Sequence, residues 1–354
     1  MQFNTHFDSS EVQSYSALVN LVLSDRSDGK TFNIKSKGFA RWLKNKEQYV
    51  YLRRWKSEIP QEMYSTFYDE VVNAVACGSF TCPNTDEKAL VKQILNYEFL
   101  GTKTAVYVRQ KGNKEWDTLC YLLPLTMTAK KKSVLSIKRI THIEYDEFVA
   151  LDGRYLQNEM NTLMEFYKSV DRDRDTTILD LYGNRIDNFN PFFDFFGIHL
   201  GIQKEKIRLF KNGTVAVQIY VNNEHREERQ KSRFNTMISD TSYAEYNNGG
   251  TLFTDIVKKS SLNGCSYFAS FKSCLGEGSI FVNKNKTVIS SKIRKDGVVI
   301  TDKIYGLERK EYECTFGNIP SWIKRQHKTG NLYYDSETTY HLFEPILNRI
   351  GGIK

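Results

Sequence analysis

The stretch IRLFKNGTVAVQIYV, residues 207–221, constrains the fold more than any other part of this 354-residue chain. Apolar side chains recur at alternate positions on both sides of Asn212-Gly213, a pair that favours a type I′ turn because both residues tolerate positive φ. Alternation of this kind places one face of each strand in a core. We therefore predict an antiparallel hairpin in which Ile207–Leu209 pairs with Val215–Val221.

A change of pattern near residue 103 predicts the rest of the architecture. Before it, apolar side chains have helical spacing, for example over 14–24. After it, β-prone runs flank the turn sequence KGNK, and 264–316 holds short β-prone segments between glycines. The sequence predicts an α+β fold, with a mainly helical basic module over 1–100 and an α+β, strand-rich body with antiparallel hairpins over 101–354.

Positive charge is concentrated in residues 30–56. This segment holds nine Lys or Arg residues and one acid, a net charge of +8 that equals the net charge of the whole chain. Aromatic residues are interleaved with the bases, a composition that suits the phosphates and unpaired bases of a nucleic acid. The predicted order of helix, short helix and basic helix over 48–56, stopped before Pro60, indicates a helix-turn-helix or winged-helix-like region.

In such a module some side chains face the groove and others reach phosphates, with their charged heads in solvent. The candidate nucleic-acid-binding residues are Lys35, Lys37, Arg41, Lys44, Lys46, Gln48, Tyr51, Arg53, Arg54 and Lys56. Reversing Arg53, Arg54 and Lys56 to Glu is expected to abolish binding without unfolding the chain. The alternative is that the aromatic residues belong to the core and the bases only solvate one surface.

Residues 24–31, SDRSDGKT, end in the Gly-Lys-Thr of a phosphate-binding loop and follow an apolar run. Ser24 stands where the pattern G-x-x-x-x-G-K-[ST] has its first glycine. No acidic strand that could bind magnesium is recognisable downstream. The sequence alone therefore does not favour a nucleoside triphosphate site, and we expect no cofactor.

The sequence Asp171-Arg-Asp173-Arg-Asp175 resembles the start of a calcium-binding loop. Thr176 and Tyr182 stand where such a loop has its glycine and its bidentate glutamate. We therefore predict a self-paired loop rather than a metal site.

Other acids and the cysteines do not complete a site either. The spacings of the cysteine pairs are wider than structural zinc sites usually have. The acids Glu144, Asp146, Glu147 and Asp152 are close in sequence but carry no nuclease motif. We expect no metal site, and the sequence assigns no catalytic residue.

The N-terminal outline ahead of an α+β body is similar to that of replication initiators and accessory proteins of phages and plasmids. This resemblance and the basic segment favour a nucleic-acid-binding accessory, replication or regulatory factor of a phage or mobile element, more plausibly a binding protein than an enzyme. One alternative is an interaction or assembly protein that binds an acidic protein partner, and another is a metal-dependent nuclease. DNA or RNA as the ligand, and the oligomeric state, stay open.

The first residues, MQFNTHFDSSEV, contain neither the basic region nor the apolar region of a secretory signal. The longest apolar runs are shorter than a membrane span requires. Six cysteines are too sparse for a disulfide scaffold in a chain of this length. We expect an intracellular, cytoplasmic chain without a membrane partner.

Overall fold

The computed structural model describes residues 7–128, 139–150, 154–184, 190–198, 206–223, 227, 231–239, 260–273, 275–294, 299–301 and 319–351. The chain divides into two compact units. The first consists of Met1–Arg185 and Glu205–Gly250, and the second of Ile186–Lys204 and Thr251–Lys354.

The strands of the described residues form two sheets. The strands are, in chain order, β1 (Val19–Ser24), β2 (Gln48–Arg53), β3 (Tyr97–Gly101), β4 (Ala105–Gln110), β5 (Asp117–Pro124), β6 (Ile140–Asp146), β7 (Ile178–Asn184), β8 (Ile207–Phe210), β9 (Val215–Ile219), β10 (Ser266–Ser273), β11 (Gly276–Val282), β12 (Thr287–Ser290), β13 (Val299–Thr301) and β14 (Leu332–Tyr334).

Helices of the described residues are mostly short. They are α1 (Ser10–Gln13), α2 (Lys30–Asn45), α3 (Gln61–Thr66), α4 (Asp69–Ala76), α5 (Thr85–Lys92), α6 (Glu159–Asp171), α7 (Pro191–Phe196), α8 (Arg233–Ile238), α9 (Ile319–Lys328) and α10 (Glu337–Gly351). None of these helices combines the length and the apolar character needed to cross a membrane.

The first unit is built on a nine-stranded sheet with the order β3-β4-β5-β2-β6-β7-β1-β9-β8. Its central strands β5, β2, β6, β7, β1 and β9 are all parallel to one another. Antiparallel pairing occurs at the two margins, where β3 and β4 extend the sheet beyond β5 and β8 pairs with β9. Parallel strands of this kind are buried on both faces, so their sequences read as continuous apolar runs.

α2 packs on this sheet against β2, β5 and β6 and also contacts α4 and α5. Its Phe39 ring lies within an aromatic cluster, edge-on to Tyr97 at 5.4 Å between centroids and stacked on Trp42 at 6.2 Å. Gly38 permits the close approach of helix and sheet, since a Cβ atom at this position would lie 2.2 Å from Cε1 of Tyr49. Five of the six aromatic residues of 30–56 are therefore part of the core, and Trp55 is exposed.

The mixed α/β class agrees with the structure at the coarse level, but several finer predictions were wrong. The segments 14–24 and 48–56 were predicted as helices, whereas the structure places β1 and β2 there. Both strands are buried on both faces, so they lack the alternation that marks a half-buried strand. With β2 in place of the basic helix, the described residues of 30–56 form no helix-turn-helix.

The structure contains both hairpins that the sequence predicts from local turn signals. The pairing of β8 with β9 confirms the hairpin around Asn212-Gly213, with Phe210 opposite Val215. The predicted burial is found in β9, which ends at Ile219, but was wrong for β8, whose Leu209 is exposed. The loop of this hairpin spans four residues rather than two, and Asn212 and Gly213 both have positive φ. The hairpin of β4 and β5 is also confirmed. The prediction that the whole body after residue 103 is antiparallel was wrong, since β6, β7 and β9 are parallel strands.

A boundary at residue 100 does not match the architecture. Strands from both sides of this position, such as β2 and β5, are neighbours in the same sheet. The helical pattern of the first hundred residues comes from helices that cover a sheet whose other strands follow later in the chain. The periodicity of a sequence predicts whether a segment is a helix or a strand. It does not predict which distant strands will lie beside that segment.

The second unit contains a five-stranded sheet with the order β13-β10-β11-β12-β14. β10, β11 and β12 form the antiparallel meander predicted for this region, while β13 and β14 add parallel pairs at its edges. α10 covers the sheet, and its Phe343 packs edge-on against Phe271 at 4.8 Å between ring centroids.

Candidate functional site

The carboxyl ends of β1, β2, β6 and β7 meet at one edge of the large sheet, because these strands are parallel neighbours. Such an edge is where ligands bind in open α/β sheets. The loop after β1 leads directly into α2, so the Gly-Lys-Thr sequence begins that helix.

The loop from Asp25 to Gly29 has a fixed backbone. Oδ2 of Asp28 accepts the backbone N–H of Asp25 at 3.0 Å, which closes the loop on itself. Ser27 and Gly29 have φ values of 63° and 88°, and Gly29 is the residue that precedes α2. The first N–H groups of α2 thus face this edge, and free N–H groups at a helix start attract anions such as phosphate.

Lys30 is buried in this loop. Its Nζ donates to Oγ of Ser24 at 2.9 Å, to the carbonyl oxygen of Asp25 at 2.8 Å and to Oδ1 of Asn184 at 2.9 Å. Burial lowers the pKa of Lys30, and the carboxylates of Asp28 and Asp146 oppose that shift. The ammonium group is therefore held at the mouth of the loop by neutral oxygens, which an anionic ligand could replace.

Asp146 ends β6 and lies beside the start of α2. Its Oδ2 accepts hydrogen bonds from the Thr31 hydroxyl at 2.7 Å and from the Tyr51 hydroxyl at 2.8 Å. Nη1 of Arg53 donates to the same oxygen at 3.4 Å. A hydroxyl and a carboxylate in contact are hard oxygen ligands, which suit Mg²⁺. Within the described residues no group of three or more His, Cys, Asp or Glu could hold a metal. Mg²⁺ bound with a nucleotide needs no such group, because phosphates and water supply the other ligands.

Glu147 follows Asp146 and turns away from the strand with a φ of 60°. Its side chain is 39% exposed, and its Oε2 accepts Nη2 of Arg53 at 2.6 Å. The edge of the sheet therefore carries a buried carboxylate next to Thr31 and a second, accessible carboxylate one residue later.

A buried polar layer lies beneath α2 on the same face of the sheet. Oδ1 and Oδ2 of Asp180 accept the side-chain amides of Asn20 at 2.8 Å and Gln13 at 3.2 Å. On the neighbouring strand Oε1 of Glu144 accepts Nη2 of Arg41 at 2.5 Å. Burial first, and then the Glu144 carboxylate, raise the pKa of Asp180 to about 7, while Arg41 opposes the shift. This carboxyl group therefore titrates near neutral pH.

Five of the ten residues predicted to bind nucleic acid are buried, namely Lys35, Lys37, Gln48, Tyr51 and Arg54. Their charged and donor groups are engaged within the protein. Lys37 pairs with Asp8 at 2.9 Å, Arg54 pairs with Glu159 at 2.9 Å, and Lys35 reaches Glu70 at 3.2 Å.

Two further residues, Arg41 and Arg53, are half-buried and paired with the carboxylates already described. The expectation of solvated heads was therefore wrong for most of the segment. Reversal of Arg54 would place a carboxylate against Glu159, so the triple reversal should unfold the chain rather than leave it intact.

Lys44, Lys46 and Lys56 are the exposed members of the set. Lys44 and Lys46 lie at the carboxyl end of α2, just before β2 begins, and Nζ of Lys46 lies 3.7 Å from the centre of the Trp42 ring. Lys56 follows the carboxyl end of β2. A strand of six residues spans roughly 20 Å, so these lysines occupy opposite edges of the sheet and form no continuous face.

Sequence reasoning missed Asp146 and Glu147 as partners of the Gly-Lys-Thr loop. β6 has the sequence ITHIEYD, in which His142 and Glu144 interrupt the apolar run that normally announces such an acid. Both are buried in the polar layer, where Glu144 is neutralised by Arg41. The signal that could have identified them is an Asp-Glu pair, Asp146-Glu147, at the end of a β-prone run. Asp152, which stood beside this pair in sequence, lies outside the described residues.

The loop after α6 is held by the acid that ends this helix. The carboxylate of Asp171 accepts the backbone N–H groups of Arg174, Asp175, Thr176 and Thr177 at 2.9–3.0 Å. Burial acts to raise the pKa of Asp171, but these bonds together lower it below its usual value. The carboxylate is thus used as a local cap on the loop.

Known proteins resemble this chain over most of its length. A DNA packaging protein of Bacillus phage B103 is 23% identical over 340 residues, which cover 92% of this chain and 94% of that protein. A DNA packaging protein of Bacillus phage phi29 is 24% identical over 247 residues, 69% of this chain and 65% of that protein.

Two solved structures share the fold. The gp11 DNA packaging motor of Phi-28 is 16% identical with a TM-score of 0.56, and the alignment covers 97% of both chains. The viral genome packaging motor assembly of bacteriophage Phi-29 is 18% identical with a TM-score of 0.54, covering 97% of this chain and 100% of that one.

These relatives overturn the function favoured by the sequence, an accessory or regulatory nucleic-acid-binding factor, together with its interaction-protein and nuclease alternatives. The family described as podovirus DNA encapsidation protein (Gp16) matches residues 1–81 and 91–312. This match spans most of both units, and the chain belongs to the podovirus DNA encapsidation protein family.

Proposed function

We propose that this chain is the ATP-hydrolysing subunit of a phage DNA-packaging motor and that MgATP binds at the loop between β1 and α2. The observation that carries the proposal is the contact between Thr31 and Asp146, 2.7 Å from Oγ1 to Oδ2, beside the buried Lys30. This contact joins a phosphate-binding loop to the end of a neighbouring parallel strand. Phosphate-binding loops of NTPases have the same parts, a Gly-Lys-Thr sequence and an acid that supports magnesium.

Each residue of the site has a role that follows from its position. The first N–H groups of α2 and the Lys30 ammonium bind the β- and γ-phosphates, and the present neutral partners of Lys30 can be exchanged for phosphate oxygens. Thr31 and Asp146 would hold Mg²⁺, which neutralises charge on the phosphates when it is bound. Asn184, whose Oδ1 now accepts Lys30, lies at the end of β7 and can bind a phosphate oxygen or the attacking water through its amide.

Glu147 is the general base of the proposed reaction. Water attacks the γ-phosphorus, its proton passes to the Glu147 carboxylate, and the bond to the oxygen bridging the β- and γ-phosphates breaks to release ADP. Arg53 engages Glu147 at 2.6 Å in the structure. This ion pair has to open, or Glu147 has to turn on its exposed side, before the carboxylate accepts a proton from water.

Membership of the family supports DNA as the substrate of the motor. The structures of the Phi-28 and Phi-29 proteins are described as packaging motors or motor assemblies, and we infer that this chain works with DNA and with further subunits. Lys44, Lys46 and Lys56 are the exposed candidates for phosphate contacts. DNA binding stays a prediction for each edge of the sheet separately: for Lys56 at the carboxyl edge, and for Lys44 and Lys46 at the opposite edge.

Release of inorganic phosphate from ATP tests the proposal. Lys30→Ala and Glu147→Gln should each lower the turnover rate at least about a hundredfold, because each removes a group needed for binding or for proton transfer. Two matched controls should retain the rate of the unmodified chain: Lys44→Ala, at the exposed end of the same helix, and Glu98→Gln, whose carboxylate pairs with Arg109 at 2.7 Å on the edge hairpin.

Melting temperatures of the variants show whether each is folded. If Lys30→Ala and Lys44→Ala turned over ATP at the same rate, this result would contradict the placement of the site. No turnover by the folded, unmodified chain, with DNA present or absent, would contradict ATP hydrolysis by this chain.

A further inference from the structure

Tyr51 has an unusual position for a buried tyrosine. It lies near the end of β2 and is fully shielded from solvent, yet its hydroxyl donates to Oδ2 of Asp146 at 2.8 Å. The strand β2 is the direct neighbour of β6, so the ring spans from one strand to the carboxylate that ends the next. Its ring is fixed in turn by Phe67, edge-on at 5.1 Å between centroids.

The same carboxylate oxygen accepts Thr31 Oγ1 at 2.7 Å. A threonine hydroxyl has one proton and two lone pairs, so it can give its proton to Asp146 while a lone pair binds a cation. That double role works only when the carboxylate stays where the proton can reach it. Arg53, the other donor, is 3.4 Å away and shared with Glu147, so it is a weaker restraint on Asp146.

We propose that Tyr51 is the positioning residue that holds the Asp146 carboxylate beside Thr31 and so sets the affinity of the site for the metal–nucleotide complex. This inference rests on the proposed nucleotide site. Tyr51 touches neither nucleotide nor metal and acts through Asp146. Its hydroxyl donates a charge-assisted hydrogen bond in a dry environment, which is stronger than a bond between neutral groups.

Tyr49 provides a matched comparison on the same strand. It is buried to the same degree, and its hydroxyl lies 2.8 Å from the hydroxyl of Tyr68, within the aromatic core. Tyr49→Phe and Tyr51→Phe therefore delete the same atom at equal burial, two residues apart. Only Tyr51→Phe removes a bond to the proposed metal ligand.

The experiment is a titration of each variant with a fluorescent ATP analogue, once with excess Mg²⁺ and once with EDTA. The readout is the gain in nucleotide affinity that Mg²⁺ provides, which a general loss of core stability would not change. Tyr51→Phe should reduce this gain about tenfold, the lower end of what loss of a supporting group around a metal usually costs. Tyr49→Phe should keep the gain of the unmodified chain, and affinity in EDTA should be the same for all three.

Circular dichroism establishes that each variant is folded at the titration temperature. Tyr51→Leu gives a second test that does not depend on Phe: it also removes the phenol and should lose at least as much of the Mg²⁺ gain as Tyr51→Phe. An unchanged gain in Tyr51→Phe, or an equal loss in Tyr49→Phe, would overturn the role of Tyr51. If the unmodified chain binds no nucleotide in the presence of Mg²⁺, the proposed function is wrong. If it binds nucleotide but Tyr51→Phe keeps the full Mg²⁺ gain, only the role of Tyr51 is wrong.

Discussion

Replacing Asp180 with Asn should stabilise the first unit at neutral pH and have little effect at acid pH. Asn keeps the shape of Asp and an acceptor for Asn20, but it carries no charge. Its NH2 group faces the half-buried amide of Gln13, which can turn so that its oxygen accepts, as it must also do for protonated Asp180. The reason for the effect is burial, which raises the pKa of Asp180 from 3.8 to about 7. The native chain therefore retains this proton over a range of pH in which the unfolded chain has lost it.

The sign and size of the effect follow from that difference. Below the unfolded pKa both states hold the proton, and Asp180 costs nothing through ionisation. As the pH rises toward 7 the free energy of unfolding falls by about 1.4 kcal/mol per pH unit, and above the native pKa the loss is complete. The shift from 3.8 to about 7 corresponds to a total of about 4 kcal/mol, of which about 3 kcal/mol develops between pH 5 and pH 8.

Urea denaturation at pH 5, 6, 7 and 8 measures this difference. Three of the four tryptophans, Trp42, Trp55 and Trp116, belong to the first unit and only Trp322 to the second, so tryptophan fluorescence follows mainly the unfolding of the first unit. The advantage of Asp180→Asn over the unmodified chain should grow with pH. An advantage that is the same at pH 5 and pH 8, or a variant less stable than the unmodified chain at pH 8, would refute the reasoning. Asp173→Asn, at an exposed position of the loop after α6, is the control.

Two more outcomes are expected from the contacts described above. Gly38→Ala should destabilise the chain by about 1–3 kcal/mol, as overpacking in cores does, because its Cβ would meet the buried Tyr49 ring at 2.2 Å; an unchanged melting temperature would show that helix and ring can separate freely. If DNA follows the carboxyl edge of the sheet, Lys56→Glu should weaken DNA binding at low salt and lower the salt dependence by about one phosphate contact. Lys44→Glu, at the opposite edge, should change neither quantity, and equal losses in the two variants would contradict an edge-specific contact.

The sequence was sufficient where structure depends on neighbouring residues. The hairpin of β8 and β9 follows from alternation around Asn212-Gly213, and the meander of β10 to β12 follows from short β-prone runs between turns. The central parallel sheet could not be read in the same way. Its partners are distant in sequence, as with β1 beside β7 and β9, and their burial on both faces removes the alternating signal.

The basic segment 30–56 shows how composition misleads when tertiary pairing is unknown. Its charge suggested one exposed face, but the segment is a helix and a strand that cover and cross the core. The acids that neutralise it come from elsewhere in the chain: Glu144 pairs with Arg41 and Glu159 pairs with Arg54. A local excess of charge says nothing about such partners, since they are separated from it by about a hundred residues.

The candidate site was visible in part. Gly29-Lys30-Thr31 was recognisable, but its value depended on an acid whose distance in sequence is not fixed, and Thr31 meets Asp146 across 115 residues. Parallel topology brings the two together at the carboxyl edge of the sheet, which is why the site follows from the fold and not from a single motif.

Binding of MgATP measured by isothermal titration calorimetry tests the central claim most directly. The account predicts one nucleotide bound per chain, and loss of that binding in Lys30→Ala but not in Lys44→Ala, with both variants folded. Binding that survives Lys30→Ala unchanged would place the nucleotide elsewhere. Absence of binding to the folded, unmodified chain would contradict a nucleotide site at the end of β1.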